Sequence, residues 1–429
     1  MSIFETSLPE GWVWEPLGRH YRITKKPRAL DYAGQERIPF APMEAVPAGG
    51  SASIRYDSRL PEAITSGTYF ERGDVLVARI TPSFENGKQG KADDLPAAFG
   101  VGSTELIPLQ PIGKGDPWYL FYYLLHPDVR DHLTGKMEGS TARQRVPDQA
   151  LLELMVPTPP PTEQARIACV FRVLQRLRDV EARAILATRE LKQAAMQQLF
   201  TQGLRGEEQK ETEIGPVPAS WDVVRLGTRC DVVSSSLSYT DFSAMQDIST
   251  AETVKAMGVK VSDMNREGNS VRFTHSAIEK HVPRSVAERR LVPPDTIVFP
   301  KRGAAIATNK KRLTTAWTVL DPNLIGVRAR EQLTTAYLFY WLQSFDLRSI
   351  TEPGPTPQLN KKHLVPLSMP VPSDYGEQAE ITAVLEAIDE SLDVHERKRA
   401  ALEQLCRALL NDLMTGRLRV RDSGEGVAA

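Results

Sequence analysis

The chain has 429 residues, of which 41% are hydrophobic and 25% charged, and its net charge at pH 7 is −1. That length allows two to four domains, and the composition is typical of a globular protein. No apolar run approaches the ~20 residues that cross a bilayer. The start MSIFE lacks the basic and apolar parts of a signal peptide. The three cysteines (Cys169, Cys230, Cys406) lie too far apart for a paired metal-ligand motif. We therefore expect a cytoplasmic protein with no membrane partner and no metal.

The first predicted domain covers residues 1–158 and is a mixed α+β domain. It opens with LPEGW at residues 8–12, and its strongest strand signal is DVLVARI at 74–80, directly after a glycine turn. An amphipathic helix is predicted over 117–125, followed by a polar loop at 139–145. Lysines and arginines number 17 against 20 acidic residues in positions 1–160, so this domain carries a small negative surplus.

A long helix is predicted next, within a spacer segment at residues 159–205. A proline-rich lead precedes Glu163-Gln164, and about 40 residues then follow without proline up to Gly203. At 1.5 Å per residue such a helix is a rod of roughly 60 Å. Residues 206–216 form the linker to the next domain.

The second predicted domain, residues 217–372, repeats the order of the first. VPASW at 217–221 matches the opening, the strand at 295–299 matches the one at 74–80, and helix and loop signals recur at 337–342 and 354–358. A second spacer helix follows in residues 373–419, again led by proline and Glu377-Gln378, before a tail at 420–429. The chain is thus an internal duplication. The order of strands and helices is the same in both copies while the loops differ, as expected of two domains that bind different targets.

Both spacer helices carry apolar residues at alternating spacings of four and three, which is the pattern of a coiled-coil seam. The seam of the second helix runs from Ile381 to Leu413, and that of the first runs from Ile167 to Leu199. We predict that the helices pack on each other as an antiparallel coiled coil; the alternative is that each packs on its own domain or on another subunit. The middle of the first seam is polar, where either partner subunits or a loose seam is expected, at Arg178, Glu181, Thr188 and Lys192.

No catalytic pattern in the sequence is convincing. The glycine-rich stretch 99–102 lacks a residue that an adenosylmethionine loop of that type would have, and 113–115 lacks the flanks of a phosphate-binding loop. Asp295 and Lys301 superficially resemble a nuclease cluster without its second acidic residue, and His395 on the helix seam is interpreted as setting register.

Binding features are better supported. Residues 217–372 hold 20 lysines and arginines against 14 acidic residues, and five cations with an amide cluster just after the 295–299 strand. Arginine, lysine, asparagine and glutamine contact base edges and phosphates, although a solvated hairpin is an equally good interpretation of 310–312 taken alone. The predicted DNA-binding residues come from four loops: Arg79, Thr81, Ser83, Asn86, Lys88, Ser140, Thr141, Arg143, Lys301, Arg302, Asn309, Lys310, Lys311, Arg312, Thr356, Gln358 and Lys361.

This plan resembles the specificity subunit of type I restriction–modification systems over nearly the whole chain. The resemblance rests on three pairs of matching segments: the openings at 8–12 and 217–221, the proline-Glu-Gln leads at 159–164 and 370–378, and the Leu-Arg ends at 204–205 and 418–419. One departure is the SDYG at 373–376, which stands where the first copy has prolines and affects only the turn into the helix.

The resemblance implies an α+β fold of two similar target-recognition domains, separated by two long helices packed as an antiparallel coiled coil and related by a pseudo-twofold repeat. It also implies that the chain is not itself an enzyme and holds no cofactor. Each domain would read one half of a split, asymmetric sequence in double-stranded DNA. The helices would set the spacing and bind two DNA-adenine methyltransferase subunits, which use S-adenosylmethionine, while motor-nuclease subunits would supply cleavage. The alternatives are a coiled-coil scaffold with two protein-binding domains and an enzyme whose site is not recognisable.

Overall fold

A computed structural model describes residues 3–140, 143–351 and 357–420. The described chain divides into two compact units. Unit 1 comprises the residues up to Ala184 together with those from His395 onward, and unit 2 comprises Ile185–Val394. None of the helices in the described ranges combines the length and apolar character needed to cross a membrane.

The strands and helices that begin in the first predicted domain or in its spacer are β1 Val13–Pro16, β2 Tyr21–Ile23, β3 Ile38–Ala41, β4 Asp57–Arg59, β5 Thr68–Glu71, β6 Val75–Ala78, β7 Gln89–Lys91, β8 Phe99–Gly102, β9 Leu106–Pro111, α1 Pro117–Tyr123, α2 Pro127–Thr134, α3 Asp148–Leu152, β10 Met155–Thr158 and α4 Pro161–Gln202.

The remaining elements are β11 Gln209–Lys210, β12 Val217–Pro218, β13 Trp221–Arg225, α5 Leu226–Arg229, β14 Cys230–Val233, α6 Tyr239–Ala244, β15 Thr253–Val259, β16 Arg272–Phe273, β17 Ile278–Pro283, α7 Arg284–Arg290, β18 Ile297–Pro300, β19 Arg312–Thr314, β20 Trp317–Leu320, β21 Leu324–Ala329, α8 Thr335–Ser344, α9 Lys361–Leu364, β22 Ser368–Pro372 and α10 Tyr375–Met414. Short 3₁₀ turns occur at Ile3–Glu5, Leu17–Arg19, Met43–Ala45, Pro61–Ala63, Ala92–Asp94, Val261–Asn265, Gly303–Thr308 and Leu347–Ile350.

The two units repeat one sheet topology, which confirms the predicted α+β class and the internal duplication. Unit 1 has the antiparallel sheet β2-β9-β6-β7, and unit 2 has its counterpart in β14-β21-β18-β19, extended by β16. A second sheet in each unit sets an antiparallel pair beside a parallel one. It is β4-β3-β8-β5 in unit 1, where β3 and β8 are parallel, and β17-β15-β20 in unit 2, where β15 and β20 are parallel. The middle strands β6 and β18 are buried along their whole length because both of their faces are covered.

An aromatic helix forms the centre of each main core. The side chains of Tyr119 in α1 and Tyr337 in α8 are almost completely buried. Each places its hydroxyl on a strand carbonyl, Tyr119 on Pro157 O at 2.7 Å and Tyr337 on Pro370 O at 2.9 Å. A buried tyrosine hydroxyl needs such a partner, so this contact fixes the helix against the strand that leads into the long helix.

The long helices α4 and α10 have 42 and 40 residues, as the sequence predicts. In unit 1 the first part of α4 packs against the last part of α10, with Phe171 and Leu174 in the same core as Leu413, and His395 Nδ1 lies 2.6 Å from Glu181 Oε2. In unit 2 the last part of α4 packs against the first part of α10, where Lys192 Nζ lies 2.6 Å from Asp389 Oδ1. Residues early in one helix meet residues late in the other, so the predicted antiparallel pairing is confirmed in each unit.

The repeated Glu-Gln pair is explained by its contacts at the start of each long helix. Glu163 accepts a hydrogen bond from Trp12 Nε1 at 3.0 Å, and Glu377 accepts one from Trp221 Nε1 at 3.1 Å. The neighbouring glutamines accept a backbone N–H at the cap of the aromatic helix, at Asp116 in unit 1 and Thr334 in unit 2. The opening tryptophan and the Glu-Gln pair are therefore parts of one buried hydrogen-bonded joint.

An arginine after the end of the other long helix completes each joint. Arg419 donates to Glu163 from Nε and Nη2, both at 2.7 Å, in unit 1. Arg205 Nε approaches Glu377 Oε2 less closely, at 3.7 Å, in unit 2. The matching Leu-Arg ends in the sequence thus belong to the same joints as the Glu-Gln pairs.

Candidate nucleic-acid interface

The two predicted binding loops of unit 1 lie side by side. The loop after β6 (residues 79–88) and the segment before α3 (residues 138–146) are joined by a bridge between Ile80 and Arg145. Thr81 N donates to Gln144 O at 3.0 Å, and Val146 N donates to Arg79 O at 2.9 Å. Two loops that are more than 50 residues apart in sequence therefore form one edge.

The corresponding loops of unit 2 are joined in the same way. Arg302, directly after β18, forms a bridge with Gln358, and Gly303 N donates to Pro357 O at 2.9 Å. Leu359 N donates to Lys301 O at 2.9 Å. The frame that brings the loops together is thus duplicated, while the side chains that it carries differ between the units.

Several predicted DNA-binding residues of unit 1 are engaged within the protein. Arg79 Nη2 lies 2.9 Å from Asp148 Oδ1 and also donates to Val146 O at 3.0 Å. Lys88 Nζ donates to Met43 O at 2.8 Å, and the Thr81 hydroxyl lies 2.6 Å from Glu85 Oε1. These contacts shape the loop.

The remaining predicted residues of unit 1 form its outer surface. Asn86, Ser140 and Arg143 are exposed and Ser83 is half-buried, whereas Thr141 lies outside the described residues. Beside them Arg145 binds Glu105 from Nε at 2.8 Å and Nη2 at 2.5 Å, and this hydrogen bonding lowers the pKa of the Glu105 carboxyl. The edge of unit 1 thus presents amide and hydroxyl groups together with internally paired charges.

In unit 2, Lys311 is a core residue and not a surface cation. Its side chain is 2% exposed, and its Nζ donates to Asn309 Oδ1 at 2.7 Å and to Phe345 O at 2.8 Å. Burial lowers the pKa of Lys311 to about 7. Asn309 adopts a left-handed backbone with φ of 52° and donates from its own side chain to Phe345 O at 3.1 Å. Lys311 and Asn309 therefore hold the loop onto the segment after α8.

The other residues of this loop differ in how far they are engaged. Residues 303–308 form a 3₁₀ turn in the connection from β18 to β19. Lys310 is half-buried and bonds to Asn265 Oδ1, while Arg312 is half-buried and donates to Lys311 O at 2.8 Å. Lys301 is half-buried, and burial together with the nearby Arg302 charge lowers its pKa.

Exposed side chains of unit 2 gather where its two loops meet. Arg302, Gln358 and Lys361 are exposed, and Lys361 begins α9 just after the bridged segment. Thr356 lies outside the described residues. This edge therefore offers both an amide and exposed cations, the groups that contact base edges and phosphates.

The four polar seam residues lie in the helix pair. Arg178 Nη2 donates to Gly49 O at 3.1 Å, and Glu181 contacts His395. Lys192 Nζ lies 2.7 Å from Gln343 Oε1 in addition to its contact with Asp389, and Thr188 is half-buried. Arg178, Glu181 and Lys192 therefore make polar contacts within the chain, and Thr188 is partly covered by it.

A different face of α4 is apolar and exposed. Val173, Leu177 and Val180 follow the same spacing of four and three one position before the seam, and they are 48%, 45% and 50% exposed. They are not among the residues predicted from the sequence, although their heptad spacing is a signal of a second apolar stripe. The loop between β15 and β16 is also absent from the predicted binding residues, because its lysine and arginine are separated in sequence and form no basic cluster.

Proteins of known class match both the sequence and the fold. A family profile described as the type I restriction modification DNA specificity domain matches residues 303–404. The putative type I restriction enzyme MjaX specificity subunit of Methanocaldococcus jannaschii is 23% identical over 366 residues, which is 81% of this chain and 79% of that protein. The crystal structure of the type I restriction–modification S subunit from M. genitalium aligns with a TM-score of 0.57 at 12% identity, covering 96% of this chain and 98% of that one.

This chain is therefore similar in sequence and in fold to type I specificity subunits. The type I restriction enzyme EcoEI specificity subunit of Escherichia coli is 33% identical over 180 residues, which are 40% of this chain. The match spans only 29% of the length of that relative. A further structure, from work on complex assembly and conformational transition of the type I R-M system, has a TM-score of 0.56 at 18% identity and covers 96% of this chain.

Proposed function

We propose that this chain is the non-catalytic DNA-specificity subunit of a type I restriction–modification complex, in which each unit reads one half of a bipartite, asymmetric DNA target. The observation that carries the proposal is the duplicated loop edge, bridged at Ile80 and Arg145 in unit 1 and at Arg302 and Gln358 in unit 2. The two units hold their loops in the same arrangement but expose different side chains on them, which suits two domains that each bind a different half-site. Sequence similarity to type I specificity subunits favours this function over a protein-binding scaffold.

The partners follow from the same proposal. Two DNA-adenine methyltransferase subunits would supply the chemistry and bind S-adenosylmethionine, and motor-nuclease subunits would join where the system also cleaves DNA. The exposed apolar face of α4 at Val173, Leu177 and Val180 supports a helical partner there, because a row of apolar residues at heptad spacing is the seam of a further helix contact. The polar seam residues Arg178, Glu181, Thr188 and Lys192 remain a separate prediction for partner binding.

Mapping methylated adenines in a host genome with and without this chain tests the proposed function. We expect a two-part motif with a fixed spacer in the presence of the chain and its loss on deletion. A methylation pattern that does not change on deletion would refute the proposal. Full-length complex should also bind this motif more tightly than scrambled duplex, in a salt-dependent way.

The helix pair as a spacer is tested by inserting one heptad into each helix, between Ala184 and Ile185 and between Val394 and His395, which removes none of the proposed partner-binding residues. A heptad keeps the seam in register and lengthens each helix by about 10 Å, or roughly three base pairs. The motif should keep both half-sites and gain about three bases in its spacer. An unchanged spacer, or a changed half-site, would contradict the spacer role.

A further inference from the structure

The loop between β15 and β16, residues 260–271, lies at the same end of the main sheet of unit 2 as the predicted binding loop. β18 ends at Pro300 and the antiparallel β19 begins at Arg312, so residues 301–311 lie at that end. β16 runs parallel to β19 and begins at Arg272, so the preceding residues reach the same end. Leu313 N donates to Val271 O at 2.9 Å and fixes this neighbourhood.

The 260–271 loop is held by two polar side chains that are completely buried, Asp263 and Asn269. Asp263 accepts from Lys260 N at 2.8 Å and from Arg266 Nε at 2.6 Å. Asn269 Nδ2 donates to Asp263 O at 2.9 Å, and its Oδ1 accepts from Thr274 N at 2.8 Å. A buried network whose members are hydrogen-bonded specifies one loop conformation, so the exposed residues above it are held in place.

Cations of the predicted binding loop attach it to the 260–271 loop. Lys310 Nζ donates to Asn265 Oδ1, and Arg312 donates to Asn269 O and to Met264 O. The two loops therefore present one continuous surface. Asn265 and Arg266 are exposed on it, with Glu267 as the neighbouring acidic residue.

The counterpart of this loop in unit 1, residues 42–52, has the same frame and different chemistry. Lys88 Nζ donates to Met43 O, and Lys91 N donates to Ala52 O at 2.8 Å, as Leu313 does to Val271. The counterpart has the sequence PMEAVPAGGSA, which contains no lysine, arginine, asparagine or glutamine. Its Gly49 carbonyl accepts from Arg178 of α4, so this loop packs on the helix.

We propose that the 260–271 loop is a base-reading segment of unit 2 and that Asn265 and Arg266 determine specificity, whereas residues 42–52 do not read bases. The inference rests on the proposed function. Asp263 binds Nε of Arg266 and leaves its two Nη groups to face a base edge, and guanine O6 and N7 are the acceptors that such a fork fits. Lys310 binds Oδ1 of Asn265, which leaves the amide Nδ2 as a donor to an acceptor on a base.

The test uses the full chain together with its methyltransferase subunits and maps methylated motifs genome-wide for Arg266→Ala and Asn265→Ala. In the half-site that unit 2 reads, one or two positions should lose about 10- to 100-fold of their discrimination, the value of one base contact. The other half-site and the spacer should not change. Arg266→Lys keeps the charge without the fork, so it should relax the same position as Arg266→Ala.

Two controls define what would overturn the inference. Arg330→Ala removes an exposed arginine at the opposite end of the same sheet, where Arg330 pairs with Asp231, and should leave the motif unchanged. Ser51→Ala in the counterpart loop should do the same. Unchanged motifs for both loop variants, or equal relaxation by Arg330→Ala, would overturn the proposal. If Arg266→Ala fails to fold, as judged by hydrogen exchange, Arg266→Lys decides; if the unaltered chain gives no bipartite motif, it is the proposed function that fails.

Discussion

Replacing Arg419 with alanine should weaken unit 1 much more than the matched change of Arg205 weakens unit 2. Both arginines follow the end of a long helix and approach the glutamate that begins the other helix. Arg419 is 18% exposed and holds the buried Glu163 carboxylate through two hydrogen bonds of 2.7 Å. Arg205 is 50% exposed, and its closest carboxylate, at 2.9 Å, belongs to the exposed Asp374.

The magnitudes follow from burial. Removing one partner of a buried ion pair costs about 3–5 kcal/mol, because the other charge stays buried. Arg419 keeps some contact with water, so we expect about 2–4 kcal/mol for Arg419→Ala. An exposed pair contributes about 0–1 kcal/mol, which is our expectation for Arg205→Ala. The two variants should therefore differ by about 1–4 kcal/mol.

Hydrogen exchange measured by mass spectrometry separates the two effects, since it reports the opening free energy of each segment. Arg419→Ala should raise exchange in the first half of α4 and the last half of α10, with little change in unit 2. Trp12→Phe is a useful control, because it removes one N–H donor from Glu163 and leaves the arginine in place. Equal losses for Arg419→Ala and Arg205→Ala would show that burial does not distinguish the joints and would refute this reasoning.

Three further predictions concern the binding edge and the helices. Burial lowers the pKa of Lys311 from 10.5 to about 7, so between these pH values the unfolded chain holds a proton that the folded chain releases. The free energy of unfolding of unit 2 should therefore increase as pH rises through this window. Lys311→Met should abolish that increase, as measured by urea unfolding at pH 7 and 9. Lys310→Ala should weaken DNA binding of the complex and reduce the salt slope by about 1 if Lys310 contacts a phosphate, whereas an unchanged slope would exclude that contact. The double variant Val173→Ser and Leu177→Ser should lower the affinity for the methyltransferase at least 10-fold, as measured by co-purification or calorimetry. Both side chains are about half exposed, so they offer apolar area to a partner without packing in the core. Binding as tight as that of the wild type would exclude this face as the methyltransferase contact.

The duplicated frame could be predicted from the sequence because its signals are local. Heptad spacing, the strand after Gly73 and the helix around Tyr119 each depend on a few neighbouring residues, and each appears as predicted. The antiparallel pairing of α4 and α10 was also predictable, since two long helices with apolar seams need to bury them. The comparison of the two halves supplied the correspondence between their loops.

The state of individual side chains could not be predicted, since it depends on contacts between distant residues. Lys311 reads as one cation in a basic run, yet its Nζ meets a carbonyl 34 residues away and is buried. Arg312 likewise bonds to a loop 43 residues earlier in the chain. A basic cluster in a sequence therefore mixes residues that face solvent with residues that hold the loop together, and only tertiary packing separates them.

The assignment of each long helix to two units has a consequence for synthesis on the ribosome. Unit 2 is one continuous stretch, whereas unit 1 needs α10 residues that are translated after the whole of unit 2. Arg419 follows Glu163 by 256 residues, so at about 5–20 residues per second it emerges roughly 10–50 s later. Nascent chains arrested before Arg419 should therefore be cleaved by protease in the first half of α4, while the released chain should be protected there. Unit 1, whose first residues are translated before those of unit 2, is therefore expected to complete its folding after unit 2.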